Sequence, residues 1–224
     1  MRKHYLIIFT HMIMLGAVLS LSACNGILGG IYDEGEHGQT DIKKGSFSQI
    51  NTSEYDEWTY ISLADLKAVR VKIGKEHEKE IPDKWDLAIH RYDIKTNGGS
   101  GYETTFGSLE ELKNSGKLPD EASFAPDVWT TDKIAIDMSG MMEGNIVYAE
   151  SYRNEVLSRW LSRSGMPPTY TLSQKVYLLR TKEQTYAGLR FTNYRNPKGN
   201  TGYISFNFIY PFEVNTNTGA GAAN

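Results

Sequence analysis

Four methionines lie beyond residue 24, and all of them, Met138, Met141, Met142 and Met166, fall between positions 138 and 166. A thioether is a soft ligand, suited to copper(I) or to the iron of a haem. Met141 and Met142 sit in Ser139-Gly140-Met141-Met142-Glu143-Gly144, a turn between two strand-forming runs. Met166 sits in Ser164-Gly165-Met166-Pro167-Pro168, which is also a loop pattern. Methionines in turns leave apolar surface in water unless something covers them. Met138 ends Ile134-Ala135-Ile136-Asp137-Met138 in phase with Ile134 and Ile136, so it reads as core. The competing reading is that all four simply cap one end of a β-domain. Met138-Ser139-Gly140-Met141 is also a Met-x-x-Met spacing, so copper(I) binding is a further alternative.

The neighbouring side chains favour one ligand class. Trp129, Tyr148, Tyr152, Trp160 and Tyr170 lie close to these loops in sequence, together with Arg153, Arg159 and Arg163. Apolar rings, soft ligands and a cationic rim suit a flat, hydrophobic, dianionic macrocycle such as haem. The same aromatic and arginine enrichment suits a protein interface or a carbohydrate surface, so both stand as alternatives. Histidine offers less. Beyond residue 24 there are only His37, His77 and His90. His77 stands among Glu76, Glu78 and Lys79, a solvated setting. His90 falls on a strand-forming run and reads as a hydrogen-bonded structural residue, with metal ligation as its alternative.

No catalytic constellation can be assembled. Gly-x-Ser-x-Gly and His-Glu-x-x-His are absent, and Gly98-Gly99-Ser100-Gly101 lacks both the spacing and the lysine of a phosphate loop. The chain is therefore read as a binding protein and not as an enzyme.

The elements that must hold these residues are strands. Between Tyr55 and Glu213 the chain shows short runs rich in Tyr, Ile, Val, Phe and Thr, bounded by turn clusters. Runs at 58–63, 85–94, 133–138, 145–150, 175–181, 184–193 and 202–210 are predicted strands, with a hairpin across Lys182-Glu183-Gln184. Ser108 and Glu111 form a capping-box pattern for one short helix ending at Gly116, and 154–161 has helical spacing. The expectation is an all-β fold with minor helix, a single antiparallel domain over residues 54–214.

Ahead of that domain, Arg2 and Lys3 precede an apolar stretch that ends at Leu21-Ser22-Ala23-Cys24. This pattern predicts a lipoprotein signal over residues 1–23 and lipidation of Cys24, the only cysteine. Lipid chains would hold the domain to a membrane. Residues 24–53 read as a flexible tether and 215–224 as a disordered tail. A lone cysteine leaves no internal disulfide and no cysteine zinc cage. Of the 24 basic and 27 acidic residues, the leader carries two basic and no acidic ones. The remaining chain is net acidic, which argues against nucleic acid as a partner.

Trp85-Asp86-Leu87-Ala88-Ile89-His90-Arg91-Tyr92-Asp93-Ile94-Lys95-Thr96-Asn97-Gly98-Gly99 resembles the signature strand of the HmuY family of haem-binding lipoproteins. Asp127-Val128-Trp129-Thr130-Thr131, Asp137-Met138-Ser139-Gly140-Met141-Met142, Met166-Pro167-Pro168-Thr169-Tyr170 and Phe191-Thr192-Asn193-Tyr194 resemble it in the same order. The resemblance implies an all-β "right hand" whose loop fingers close over haem (iron protoporphyrin IX). It further implies a haemophore role: taking haem from host haemoproteins and passing it to a TonB-dependent outer-membrane receptor, from a lipid-anchored, surface-exposed position on the outer membrane. Family members with two axial histidines carry them in the fingers. This chain has no histidine after His90, so the resemblance points to the methionine-ligating variant. Met166 paired with Met141 or Met142 is the expected ligand set, with Met138 in reserve as core. Tyr148, Arg153, Trp160 and Tyr170 are expected to line the site. Arginines of the 153–163 segment would meet the propionates, at about 1.5–3 kcal/mol per sheltered charge-assisted bond.

Overall fold

The structure is a computed structural model, and it describes residues 41–165 and 167–213. Cys24, Met166 and the segments 1–40 and 214–224 lie outside the described residues. Fifteen strands follow in chain order. The first group is β1 (Asp41–Lys43), β2 (Ser46–Asn51), β3 (Glu57–Ser62), β4 (Lys67–Lys72), β5 (Leu87–His90), β6 (Asp93–Thr96) and β7 (Ser100–Glu103). Then come β8 (Ala125–Pro126), β9 (Val128–Gly140), β10 (Asn145–Arg153), β11 (Leu161–Ser164) and β12 (Thr169–Leu172). The last three are β13 (Tyr177–Arg180), β14 (Tyr186–Arg195) and β15 (Thr201–Ile209). One α-helix, α1 (Leu109–Ser115), and several 3-10 turns complete the described elements. All the strand pairs are antiparallel.

A seven-stranded sheet, in the order β1-β2-β15-β14-β13-β7-β8, faces a four-stranded sheet, β4-β3-β5-β6. Strand alternation explains the layers. Tyr177 and Leu179 of β13 enter the main core between the sheets, while Leu178 turns outward with Val176 to meet Leu112 of α1. In the smaller sheet, Ile61, Leu87 and Ile89 face that core, and Trp58, Tyr60 and Ala88 face the other way. That outer face is covered by the ribbon β9–β10 through Ile134, Ile136 and Ala149. The all-β expectation thus stands, with helix confined to short pieces. The helix cap forms with one change: Ser108 accepts from the Glu111 backbone at 3.1 Å, the Glu111 carboxylate reaches back to the Gly107 N–H at 2.8 Å in place of that of Ser108, and Gly116 takes the left-handed turn at φ 58°.

Three expectations need correction. The composition of 24–53 predicts a tether, yet its residues 41–51 supply β1 and β2, which pair into the large sheet, where Phe47 stacks on Phe206 at 5.2 Å. Polar residues and one Gly fill most of that stretch, and only Ile42, Phe47 and Ile50 signal a strand; the partner β15 is remote in sequence. The run 85–94 is two strands, because Arg91 adopts φ 52° and turns β5 into β6. The predicted helix at 154–161 is a single 3-10 turn, Leu157–Trp160, followed at once by β11.

Candidate functional site

A cleft of about 340 Å³ opens where the ribbon β9–β10, the β5–β6 turn and β11 converge. The ribbon contributes Ala135, Met138, Ile146, Tyr148 and Arg153; the turn contributes His90, Arg91, Tyr92 and Asp93; β11 contributes Leu161 and Arg163. Its size falls within the range of small-molecule sites, roughly 300–1,000 Å³. The wall is mixed: Ala135, Ile146 and the Met138 thioether share the ribbon side with Tyr148, Lys133 and Arg153, and phenols and cations gather again at the turn and β11.

Met138 reaches the cleft because β9 is bulged. Ala135 pairs with Tyr148 and Asp137 with Val147, so two steps along β9 match one along β10. The extra residue reverses the alternation, which brings Met138 onto the face of Ala135 instead of that of Ile134. Ile134 stays fully buried, whereas Met138 is half-buried and lines the cleft. The core reading of Met138 is therefore replaced by a site reading. Met141 and Met142 occupy the 3-10 turn at the ribbon's tip, 41% and 82% exposed, and neither lines the cleft. Met138 is the one methionine among the described residues that does.

The remaining predicted residues divide. Tyr148 and Arg153 line the cleft. Trp160 does not: it is buried, stacks on Phe191 at 4.6 Å, and donates its indole N–H to the Tyr92 carbonyl at 2.8 Å. Trp160 thus supports the turn from below. Tyr170 packs on Tyr92 at 5.2 Å and on Tyr194 at 5.5 Å, behind the lining residues. Arg153 is already engaged, with its Nε 2.5 Å from Asp93 and its Nη1 on Glu155. Burial opposes its charge, and those two carboxylates more than restore it, leaving the guanidinium firmly protonated. Arg153 therefore ties β10 to β6 and leaves little for a ligand's acid groups.

Several cleft residues escaped the sequence reading. Tyr55, Arg91 and Tyr92 are held as a unit. The Arg91 guanidinium lies 4.4 Å from the Tyr55 ring and 5.3 Å from the Tyr92 ring. It donates to the Ser53 carbonyl and, at 3.2 Å, to the Tyr92 phenol. The only available signal was Arg91 itself, a charge within an otherwise continuous strand pattern. His90 lines the cleft yet is buried; its Nε2–H donates to the Tyr55 carbonyl at 2.7 Å, and its Nδ1 has no partner. Burial pushes His90 below the usual imidazole range.

Behind the ribbon, Asp127 and Asn154 lock the frame. Asp127 accepts from the Thr96 backbone at 2.6 Å, the Thr96 hydroxyl at 3.0 Å and Asn154 at 3.0 Å. Asn154 also donates to the Ala125 carbonyl at 2.9 Å and caps the 3-10 turn by accepting from Leu157 at 2.9 Å. Among the described residues, no cluster of three His, Cys, Asp or Glu groups is placed to hold a metal ion. The single donors in the cleft that could meet a metal are the Met138 thioether, the His90 imidazole and the tyrosine phenols.

Comparison with known proteins gives one consistent result. A family model described as HmuY protein matches residues 54–208. A candidate HmuY-like haem-binding protein from Bacteroides vulgatus is 48% identical, covers 75% of this chain and 92% of its own, and superposes with a TM-score of 0.70. A candidate lipoprotein from Bacteroides fragilis is 46% identical over 77% of this chain and 93% of its own, also at 0.70. An apo HmuY analogue from Tannerella forsythia is 27% identical, covers 75% of this chain and 97% of its own, and gives 0.63. No curated protein matches the chain.

Proposed function

This chain belongs to the HmuY family, and from that premise we propose that it is a haem-binding surface lipoprotein that captures haem and hands it to a TonB-dependent outer-membrane receptor. The observation that carries the binding reading is the cleft itself, where a bulge brings Met138 beside Ala135, Ile146 and Tyr148, across from the Tyr92 phenol and the Arg91 and Arg163 guanidinium groups. These residues fit a haem. Ala135, Ile146 and Leu161 offer apolar surface for the ring, and the Met138 thioether offers a soft donor to iron.

Met138 takes the place that the sequence reading gave to Met141 or Met142. Met166, in the connection between β11 and β12, supplies the second thioether. Two such donors would close both faces of the iron and leave no bond chemistry to perform. Thioether ligation favours the reduced metal, so ferrous haem is held more tightly than ferric. Lipidation of Cys24 would hold this activity to a membrane, and the family resemblance implies an outward-facing position on the outer membrane, with host haemoproteins as the source of haem.

The test is an absorption titration of the purified chain with haemin, repeated under dithionite, for the wild type and two variants. Wild type is expected to give a saturable Soret shift at one equivalent, tighter on reduction. Met138→Ala is expected to lose the redox preference and weaken ferrous binding by at least about tenfold. Met142→Ala is expected to match wild type. If Met142→Ala and not Met138→Ala changed the spectrum, the ligand assignment would revert to the tip of the ribbon. Absence of any shift in the wild type would end the haem reading and favour a glycan, a protein partner or copper(I).

A further inference from the structure

The cations of the cleft fall into two classes. Lys133 lies 3.2 Å from Asp132, and Arg153 is held by Asp93 and Glu155. Arg91 and Arg163 line the same cleft, and neither has a carboxylate partner among the described residues. Arg91 uses its terminal donors on neutral oxygens, the Ser53 carbonyl and the Tyr92 phenol, and its Nε–H is buried without a partner. A buried cationic donor left unpaired calls for an acceptor.

The two arginines share one pair of phenols. Arg163 stands opposite Tyr170 across the β11–β12 ribbon, and the Tyr170 ring packs on Tyr92 at 5.2 Å. Burial and a hydrogen bond with Tyr92 push the Tyr170 phenol up to about 12, while both Arg163 and Arg91 pull it down. Both positive charges are thus felt at one hydroxyl. The arrangement sets two guanidinium groups without carboxylate partners and the Tyr92 phenol at the turn-and-β11 side of the cleft, with Tyr170 packed behind Tyr92, across from Met138, Ala135 and Ile146 of the β9–β10 ribbon.

We propose that Arg163 and Arg91, bridged by the Tyr92 and Tyr170 phenols, form a subsite for two carboxylates carried side by side by a tetrapyrrole. This rests on the haem reading above and replaces Arg153 as the anchor for the acid groups. A planar guanidinium fork pairs a carboxylate through two parallel N–H bonds, which fixes orientation as well as charge. Arg163, on the exposed face of β11, makes the direct fork; Arg91 supplies the second charge from the turn. The subsite selects free diacid tetrapyrroles over their neutral esters, and it sets which edge of the macrocycle enters the cleft.

The experiment compares haemin with haemin dimethyl ester, titrated into the full chain in mild detergent under dithionite. The two ligands share the iron and the ring and differ only in the two acids. Wild type is expected to prefer the diacid by about tenfold or more, Arg163→Lys to keep part of that preference, and Arg163→Ala to bring it within about twofold. In every variant the Soret position should stay that of wild type, since the iron ligands are untouched. A wild type without preference, or an Arg163→Ala chain that keeps it, overturns the subsite and leaves haem binding standing. A folded wild type that binds neither ligand overturns both readings.

Discussion

His90 shows how one residue couples the cleft to pH. Its imidazole is enclosed against Trp58 at 5.4 Å and Tyr55 at 6.5 Å, with Nε2–H on the Tyr55 carbonyl. Burial lowers its pKa from 6.5; the Tyr55 bond and Asp93 oppose that, and Arg91 and Lys95 add to it. Above 6.5 the imidazole is neutral in both folded and unfolded chains, and stability is independent of it. Below 6.5 the unfolded chain takes up a proton that the folded chain resists, so stability falls as the pH drops from that value towards the folded pKa. Replacing His90 with Gln, which keeps an N–H donor and cannot titrate, should flatten that fall. Urea midpoints at about pH 7 and about pH 5.5 measure it: the variant should lose less between the two than wild type does. Equal losses in both chains would assign the acid sensitivity to other groups.

At the scale of elements, the site depends on close approaches that no local pattern announces. Gly101 of β7 lies under the 3-10 turn, where an added Cβ would come within 2.5 Å of Leu157 Cγ and 2.7 Å of Asn154 Oδ1. Leu157 and Asn154 are fully buried and cannot withdraw. Gly101→Ala is therefore expected to destabilise the fold by about 1–3 kcal/mol, and to loosen the Asn154–Asp127 frame behind the ribbon. Urea unfolding reads the first effect, and a change below about 0.5 kcal/mol would mean that the turn can shift at little cost. The same logic separates what was legible in the sequence from what was not. The hairpin β13–β14, the strands around Trp58 and Ile204, and the helix cap at Ser108 follow from alternation and capping chemistry. By contrast, β11 and β12 are short and largely polar, so Leu161-Ser162-Arg163-Ser164 carries almost no periodic signal. The turn at Arg91 is set by a non-glycine residue at positive φ, held there by its bond to the remote Ser53 carbonyl and its stacking on the Tyr55 ring. Met138 was assigned to the core by counting in twos, and a bulge two residues earlier defeated the count. Met clustering and the signature run point to the region of the cleft, and among the described methionines the bulge brings Met138 to it.

For the molecule as a whole, the cleft divides a rigid body from two slender ribbons. The two sheets bury a continuous core in which Phe47, Ile61, Leu87, Ile89, Tyr177, Phe191 and Phe206 are at most 1% exposed. The ribbons β9–β10 and β11–β12 are each only two strands wide. Val128, Trp129, Met141, Met142, Val147, Tyr148 and Tyr152, nearly all of the large apolar side chains exposed among the described residues, sit on the first of them. A two-stranded ribbon is marginal alone, and its amides open at far lower free energy than those of a packed sheet. A ligand that bridges Met138 on one ribbon and Arg163 on the other would close those openings, because opening would then cost its binding energy as well. Hydrogen exchange with and without haemin under dithionite therefore has a specific expected pattern. Amides of β9–β12 should gain protection, and those of Tyr177–Arg180 in the large sheet, already enclosed, should change little. Protection confined to the tip around Met141 and Met142 would instead describe a ligand held at the end of one ribbon. A uniform small gain throughout the sheets would mean stabilisation from a site elsewhere. Protection of both ribbons together is the outcome that requires the cleft to be where they meet.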